Sequence, residues 1–136
     1  MIKIIATLLT IFAFSTSHAK KVNVGIILGF TGPIESLTPD MAAGAELAFS
    51  EASNSGKLLN GSKINVIRAD STCIDSAAAT SAAEGLVSQG VTAIMGADCS
   101  GVTGAILSNV AVPNGVPMIS PSATSPGLTT AVDNGL

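Results

Sequence analysis

The sequence has no tryptophan, no tyrosine and a single histidine among 136 residues. That histidine is His18, inside an amino-terminal segment that reads as a removable leader, so the mature chain has no imidazole. Ser-His-Asp and Cys-His nucleophilic sites, His-ligated zinc and histidine general bases are thereby excluded. Of the four phenylalanines, Phe12 and Phe14 lie in the same leader, and the remaining Phe30 and Phe49 cannot build a base-stacking platform or an aromatic cage alone. Only 6 residues are Lys or Arg and the formal charge is −3. A nucleic-acid partner, which needs many cationic contacts to phosphate, is not expected. Nucleotide fingerprints are missing too: Gly25, Gly29 and Gly32 do not form G-x-G-x-x-G, and neither G-x-x-x-x-G-K nor G-x-S-x-G occurs. A nucleotide-dependent α/β enzyme fragment is therefore the weaker alternative.

The chain opens with Lys3, an apolar run over residues 4–14, and Ser15-Thr16-Ser17-His18-Ala19. These are the three parts of a secretory signal, with cleavage expected after Ala19. The run of about 11 residues is shorter than the roughly 20 needed to cross a hydrocarbon core, so no stable membrane insertion is expected after signal removal. No cysteine follows the cleavage position to carry a lipid. The address implied is the periplasm, and residues 20–136 suffice for one domain of modest size. Cys73 and Cys99 would then meet an oxidising compartment, where an even count favours a disulfide. Such a bridge would contribute about 3 kcal/mol in the chain-entropy model. Two independent buried thiols are the alternative.

Val22-Asn23-Val24-Gly25-Ile26-Ile27-Leu28 predicts a buried first strand, punctuated by Thr31-Gly32-Pro33. Thr38 is placed to cap a helix with Pro39 at its first position, and Met41, Gly44, Ala45, Ala48, Phe49 and Ala52 recur on one face. Asn60-Gly61 turns the chain into Lys63-Ile64-Asn65-Val66-Ile67-Arg68, whose alternation suits a strand toward a sheet edge. Asp75 caps a second helix with a stripe of Ala79, Ala82, Ala83 and Leu86, stopped by Gly90. Residues 91–95 form a third strand, a helical stretch carries Val102, Ile106 and Val110 up to Pro113-Asn114-Gly115, and Val116-Pro117-Met118-Ile119 is a fourth strand. This β-α-β-α-β-α-β order implies an α/β fold: a parallel sheet flanked by helices. The sequence closes on a polar loop still leaving its last strand, which reads as a partial domain.

In open parallel sheets ligands sit beyond the carboxyl ends of the strands. Four loops qualify: residues 29–37, 69–75, 96–100 and 120–127. The last two combine small residues, hydroxyls and tight backbone, and one leads into a helix start, an arrangement suited to a small anion. Ordinary capping by Ser100 and turn chemistry in Thr124-Ser125-Pro126 are the structural alternative. Asp70, Asp75 and Asp98 lack the alternating spacing of a calcium loop and are expected to be solvated loop carboxylates and a cap. No metal or cofactor is implied.

Several segments together carry a family resemblance: Val24-Gly25-Ile26-Ile27-Leu28-Gly29-Phe30-Thr31-Gly32-Pro33, Gly44-Ala45-Glu46-Leu47-Ala48, Gly96-Ala97-Asp98-Cys99-Ser100-Gly101-Val102-Thr103 and, most specific, Met118-Ile119-Ser120-Pro121-Ser122-Ala123-Thr124-Ser125-Pro126-Gly127-Leu128-Thr129. In order and spacing they resemble the Leu/Ile/Val-binding proteins of bacterial ABC uptake systems. The resemblance implies a two-lobed periplasmic binding protein, of which residues 20–136 form a partial N-terminal lobe, closing on an amino acid between its lobes. It implies that Ser100 binds the ligand carboxylate, that Thr124 contacts the ligand main chain, and that the backbones of Ser122 and Ala123 face the ligand, with Cys99 a further ligand-binding residue beside Ser100. It also implies a Cys73–Cys99 disulfide and an inner-membrane ABC permease as partner. Leu37 stands where branched-chain binders often carry an aromatic over the side-chain pocket, so urea, short amides and other amino acids stay open as ligands. A sensor or receptor built on the same lobe is the alternative to a transport component.

Overall fold

A computed structural model describes residues 20–58 and 61–135; the expected leader over residues 1–19 and the Asn60 half of the expected turn lie outside the described residues. Four strands, β1 (Lys21–Leu28), β2 (Lys63–Asp70), β3 (Val91–Gly96) and β4 (Met118–Ile119), form one sheet in the order β2-β1-β3-β4. Every pairing is parallel. The helices α1 (Thr38–Asn54), α2 (Ser76–Ser88) and α3 (Ser100–Ile106) supply the crossovers that parallel neighbours require. The expected α/β architecture is thus the one observed, with β2 at an edge.

The registers Leu28↔Asp70, Ile27↔Gly96 and Met95↔Ile119 bring the carboxyl ends of all four strands level. The loops that leave them share one rim. Sequence order reverses at β1, which sends the chain to β2 on one side while β3 lies on its other side. That reversal is where open parallel sheets form their binding crevice.

Alternate residues of β1 feed two cores. Ile27 faces Ala79, Ala83 and Leu86 of α2 together with Val102, Ile106 and Val110 of the third helical stretch. Ile26 and Leu28 face Ala42 of α1, with Met41, Ala45 and Phe49 packed around them. The alanines of α2 let the helix approach closely, and Asp75 caps it as expected, accepting from Ala77 N at 2.9 Å and Ala78 N at 3.0 Å. Gly90 follows the helix with φ +73°, the left-handed stop expected for it.

Three local expectations are corrected. Thr38 does not cap α1: Leu37 occupies the cap position without a side-chain bond, and the buried Thr38 hydroxyl donates to the Gly29 carbonyl at 3.1 Å. A buried hydroxyl takes the partner available inside, here the loop after β1. The inner face of α1 is also turned from the expected stripe. Ala42 and Ser53 are buried while Gly44 and Ala48 are exposed. Ser53 draws the helix end onto β2, accepting from Ile64 N at 2.9 Å through its hydroxyl and from Lys63 Nζ at 2.6 Å through its carbonyl. The fourth strand is shorter than expected, because Pro117 has no N–H to give the ladder and contributes only its carbonyl, to Ile94 N at 3.0 Å. The third helical stretch continues from α3 through a π turn over Leu107–Ala111 to a final turn at Val112–Asn114, and Gly115 ends it at φ +63°. Among the described residues no helix is long and apolar enough to cross a membrane.

Candidate functional site

The rim is held together by loop-to-loop hydrogen bonds rather than by strand pairing. Ser100 is the first residue of α3, and Cys99 is its cap residue. The Ser100 hydroxyl oxygen accepts from the backbone N–H groups of Thr124 and Ser125, both at 3.1 Å. A hydroxyl has two lone pairs and one O–H, so two incoming N–H groups leave donation as its remaining capacity. This answers the capping alternative raised by the sequence: Ser100 is spent on the neighbouring loop, with its proton available to an acceptor.

Two more serines bind the same loops. Ser122 donates to the Asp98 carbonyl at 2.9 Å. Ser120 donates to the Ala97 carbonyl and accepts from Ala123 N at 2.8 Å. The loop after β4 is thereby fastened over the loop after β3 at three points. Ser122 and Thr124 are exposed, and Ala123, Cys99 and Ser100 are half-buried. The five residues singled out in the sequence therefore lie together on the rim, within two fastened loops.

Cys99 reaches in the other direction. It is bonded to Cys73, with Cα atoms 5.2 Å apart, which ties the start of α3 to the loop after β2. The disulfide is the pairing the resemblance implied. Beside it, Thr72 and Cys73 have φ of +57° and +69°. Gly32, at φ +96°, passes so close to this loop that a Cβ would come within 2.5 Å of the Thr72 carbonyl oxygen. Only glycine accommodates that approach.

The aspartates are not all solvated. Asp75 is an exposed cap, but Asp98 is buried and accepts from Gly29 N, Ser71 Oγ and Cys99 N. Asp70 is half-buried and accepts from the Thr31 hydroxyl at 2.6 Å and from Thr72 N at 2.8 Å. Burial works to raise its pKa, but the bonds from the Thr31 hydroxyl and from the N–H groups of Thr72, Thr31 and Phe30 prevail and hold it below the usual value. Outside the rim, Arg68 on β2 grips Glu46 of α1 with two bonds of 2.6 and 2.8 Å and lies over the Phe30 ring. The bond from Arg68 lowers the Glu46 pKa against the opposing effect of burial, and the Arg68 charge adds to the lowering.

Sequence reading missed Ser120 and the buried state of Asp98. Ser-x-Ser after a strand was the available signal for the first. For Asp98 there was none, because two of its three side-chain donors, Gly29 N and Ser71 Oγ, come from segments far away in the chain.

Fold and rim together define a parallel α/β lobe whose strand-end loops carry a cluster of hydroxyls and backbone groups on one rim. Comparison with known proteins makes the class specific: the periplasmic binding protein family matches residues 21–134, and the chain belongs to that family. It is 33% identical over 124 residues to the Leu/Ile/Val-binding protein BraC3 of Rhizobium johnstonii, covering 91% of this chain and 33% of that one. It is 30% identical over 118 residues to the Leu/Ile/Val-binding protein of Escherichia coli K12, covering 86% and 31%. Among solved structures it is similar to the branched-chain amino acid transporter substrate-binding protein LivJ of Streptococcus pneumoniae in complex with isoleucine. The TM-score is 0.73 at 36% identity, covering 82% of this chain and 31% of that one. These relatives are binding proteins by name, not enzymes. The chain spans about a third of the length of the relatives it matches.

Proposed function

We propose that this chain serves as the N-terminal lobe of a substrate-binding component of an ABC importer, capturing an amino acid with a branched apolar side chain in the periplasm. The observation that carries the reading is the Ser100 hydroxyl, whose oxygen accepts from Thr124 N and Ser125 N, which leaves donation to a further acceptor as its remaining capacity. A ligand carboxylate is the acceptor that a donor-only hydroxyl favours. Thr124 is exposed beside it and has no side-chain partner among the described residues, leaving its hydroxyl for the ligand main chain. The backbones of Ser122 and Ala123 supply the adjoining wall. The family relatives named for Leu/Ile/Val support the ligand class.

In this reading the lobe holds the carboxylate half of the site, a second lobe completes the ammonium half, and the closed pair is delivered to an inner-membrane permease. Residues 1–19 act as the export signal and Lys20 begins the mature protein, which amino-terminal sequencing of the secreted product checks.

The binding test is an NMR titration of the protein with leucine, with N-acetyl-leucine amide as the comparison lacking a carboxylate. Leucine is expected to shift the amide signals of Ser100, Thr124 and Ser125, the blocked compound to leave them unmoved, and Ser100→Ala to weaken the leucine response about tenfold or more. Equal responses to both compounds, or leucine shifts confined to other parts of the fold, would overturn the assignment.

A further inference from the structure

Asp98 is only 3% exposed, and its side chain gathers groups from three strand ends. Gly29 N, just after β1, donates to Oδ2 at 2.8 Å; Ser71 Oγ, just after β2, donates to Oδ1 at 3.2 Å; and Cys99 N donates to Oδ1 at 3.1 Å. Its backbone carbonyl receives Ser122 Oγ from the loop after β4 at 2.9 Å. One residue thus touches the chain leaving every strand of the sheet, and it stands two positions before Ser100.

A buried carboxylate is costly unless its oxygens are well supplied with donors. Here three donors fill two oxygens, and two of them are backbone groups that cannot rotate away. Gly29 is confined by the same contact: a Cβ there would meet Cys73 Cβ at 3.2 Å and Asp98 Oδ2 at 3.4 Å. The carboxylate therefore fixes where residues 98–99 sit relative to β1 and β2. Ser100 and, through the Asp98 carbonyl, Ser122 inherit that position.

We infer that Asp98 is a positioning residue for the amino-acid site: its carboxylate holds the loop after β3 against the ends of β1 and β2, so that Ser100 meets Thr124 and Ser125 in the ligand-ready arrangement. The inference rests on the proposed function for its meaning, since it is the Ser100 arrangement that is positioned. It makes no use of Asp98 as a ligand contact.

Asp98→Asn is the informative variant, because it keeps the shape and replaces one acceptor oxygen with a donor. Whichever way the amide is turned, an NH2 group then faces either Gly29 N–H or the pair Ser71 and Cys99. Ser71→Ala is the milder companion, removing one donor and leaving the carboxylate in place. The readout is hydrogen exchange followed amide by amide. In Asp98→Asn the amides of Thr124 and Ser125 are expected to exchange about tenfold faster, while those of Ile26 and Leu86 stay within about threefold of the parent. In Ser71→Ala the same two amides are expected to exchange about threefold faster with the core unchanged. Thr124 and Ser125 exchanging at the parent rate in both variants, or all amides accelerating by one common factor, overturns the positioning role and leaves Asp98 as ordinary core stabilisation. Should Asp98→Asn fail to fold, the Ser71→Ala result decides alone. Leucine titration of the same variants forms a separate arm. A parent protein with no leucine response sinks the ligand assignment, while the exchange data still decide whether Asp98 positions the loops.

Discussion

Gly96, the last residue of β3, lies against Ile27 of β1 so closely that a Cβ on Gly96 would stand 2.0 Å from the Ile27 carbonyl oxygen. Its φ of +134° is likewise one that side-chain-bearing residues rarely adopt. The contact falls at the switch between β1 and β3, where the loop carrying Asp98, Cys99 and Ser100 departs. Gly96→Ala is expected to lose roughly 3 kcal/mol of stability, since neither the backbone oxygen nor the positive φ can relax cheaply. The midpoint of urea unfolding measures it, and a change under about 1 kcal/mol would mean that the strand ends separate more easily than their packing implies.

The Cys73–Cys99 bridge closes a loop across 26 positions and joins the ends of two non-adjacent strands, β2 and β3. Its removal by Cys73→Ser with Cys99→Ser is expected to cost about 3 kcal/mol, mostly by releasing the unfolded chain. Denaturant unfolding of the parent with and without reductant should show a loss of the same size. Secreted protein that takes up an alkylating reagent on both cysteines before reduction would show that the bridge is not formed.

Asp70 supplies a pH dependence of known sign. Its pKa is lowered in the folded state, so the folded protein resists protonation of this carboxylate more than the unfolded chain does. The stabilisation is fully present above the ordinary aspartate value of 3.8 and is lost as pH falls through the lowered folded-state value. Asp70→Asn is therefore expected to be less stable than the parent at neutral pH and to lose less stability on acidification below about pH 4. Thermal unfolding across that range provides the comparison; parallel curves for the two proteins would show that Asp70 does not contribute to the acid limb.

Much of the architecture was legible before any coordinates. The β-branched run through Ile26 and Ile27, the Asp75 cap and the Gly90 stop are local signals, because they depend on side-chain volume, a carboxylate beside free N–H groups, and backbone freedom at one residue. Thr38 shows where such signals fail. A threonine before proline looks like a cap, yet its hydroxyl is taken by the Gly29 carbonyl, a group that becomes available only when the loop after β1 folds back over the helix start.

The alternation of helix and strand, and the hydroxyl-rich loops that carry Ser100 and Thr124, were determined by the sequence itself, since each rests on neighbours within one element or on a contiguous motif. Which donors meet which acceptors was decided by tertiary structure alone. Gly29 and Asp98 are 69 positions apart and Ser71 and Asp98 are 27 apart. They converge because β1 pairs with both β2 and β3, levelling strand ends that are distant in the chain. A helix cap at Asp75 and solvated loop carboxylates at Asp70 and Asp98 were the sequence's expectation; strand order buried Asp98 and surrounded it with donors, and no periodicity or spacing records that order.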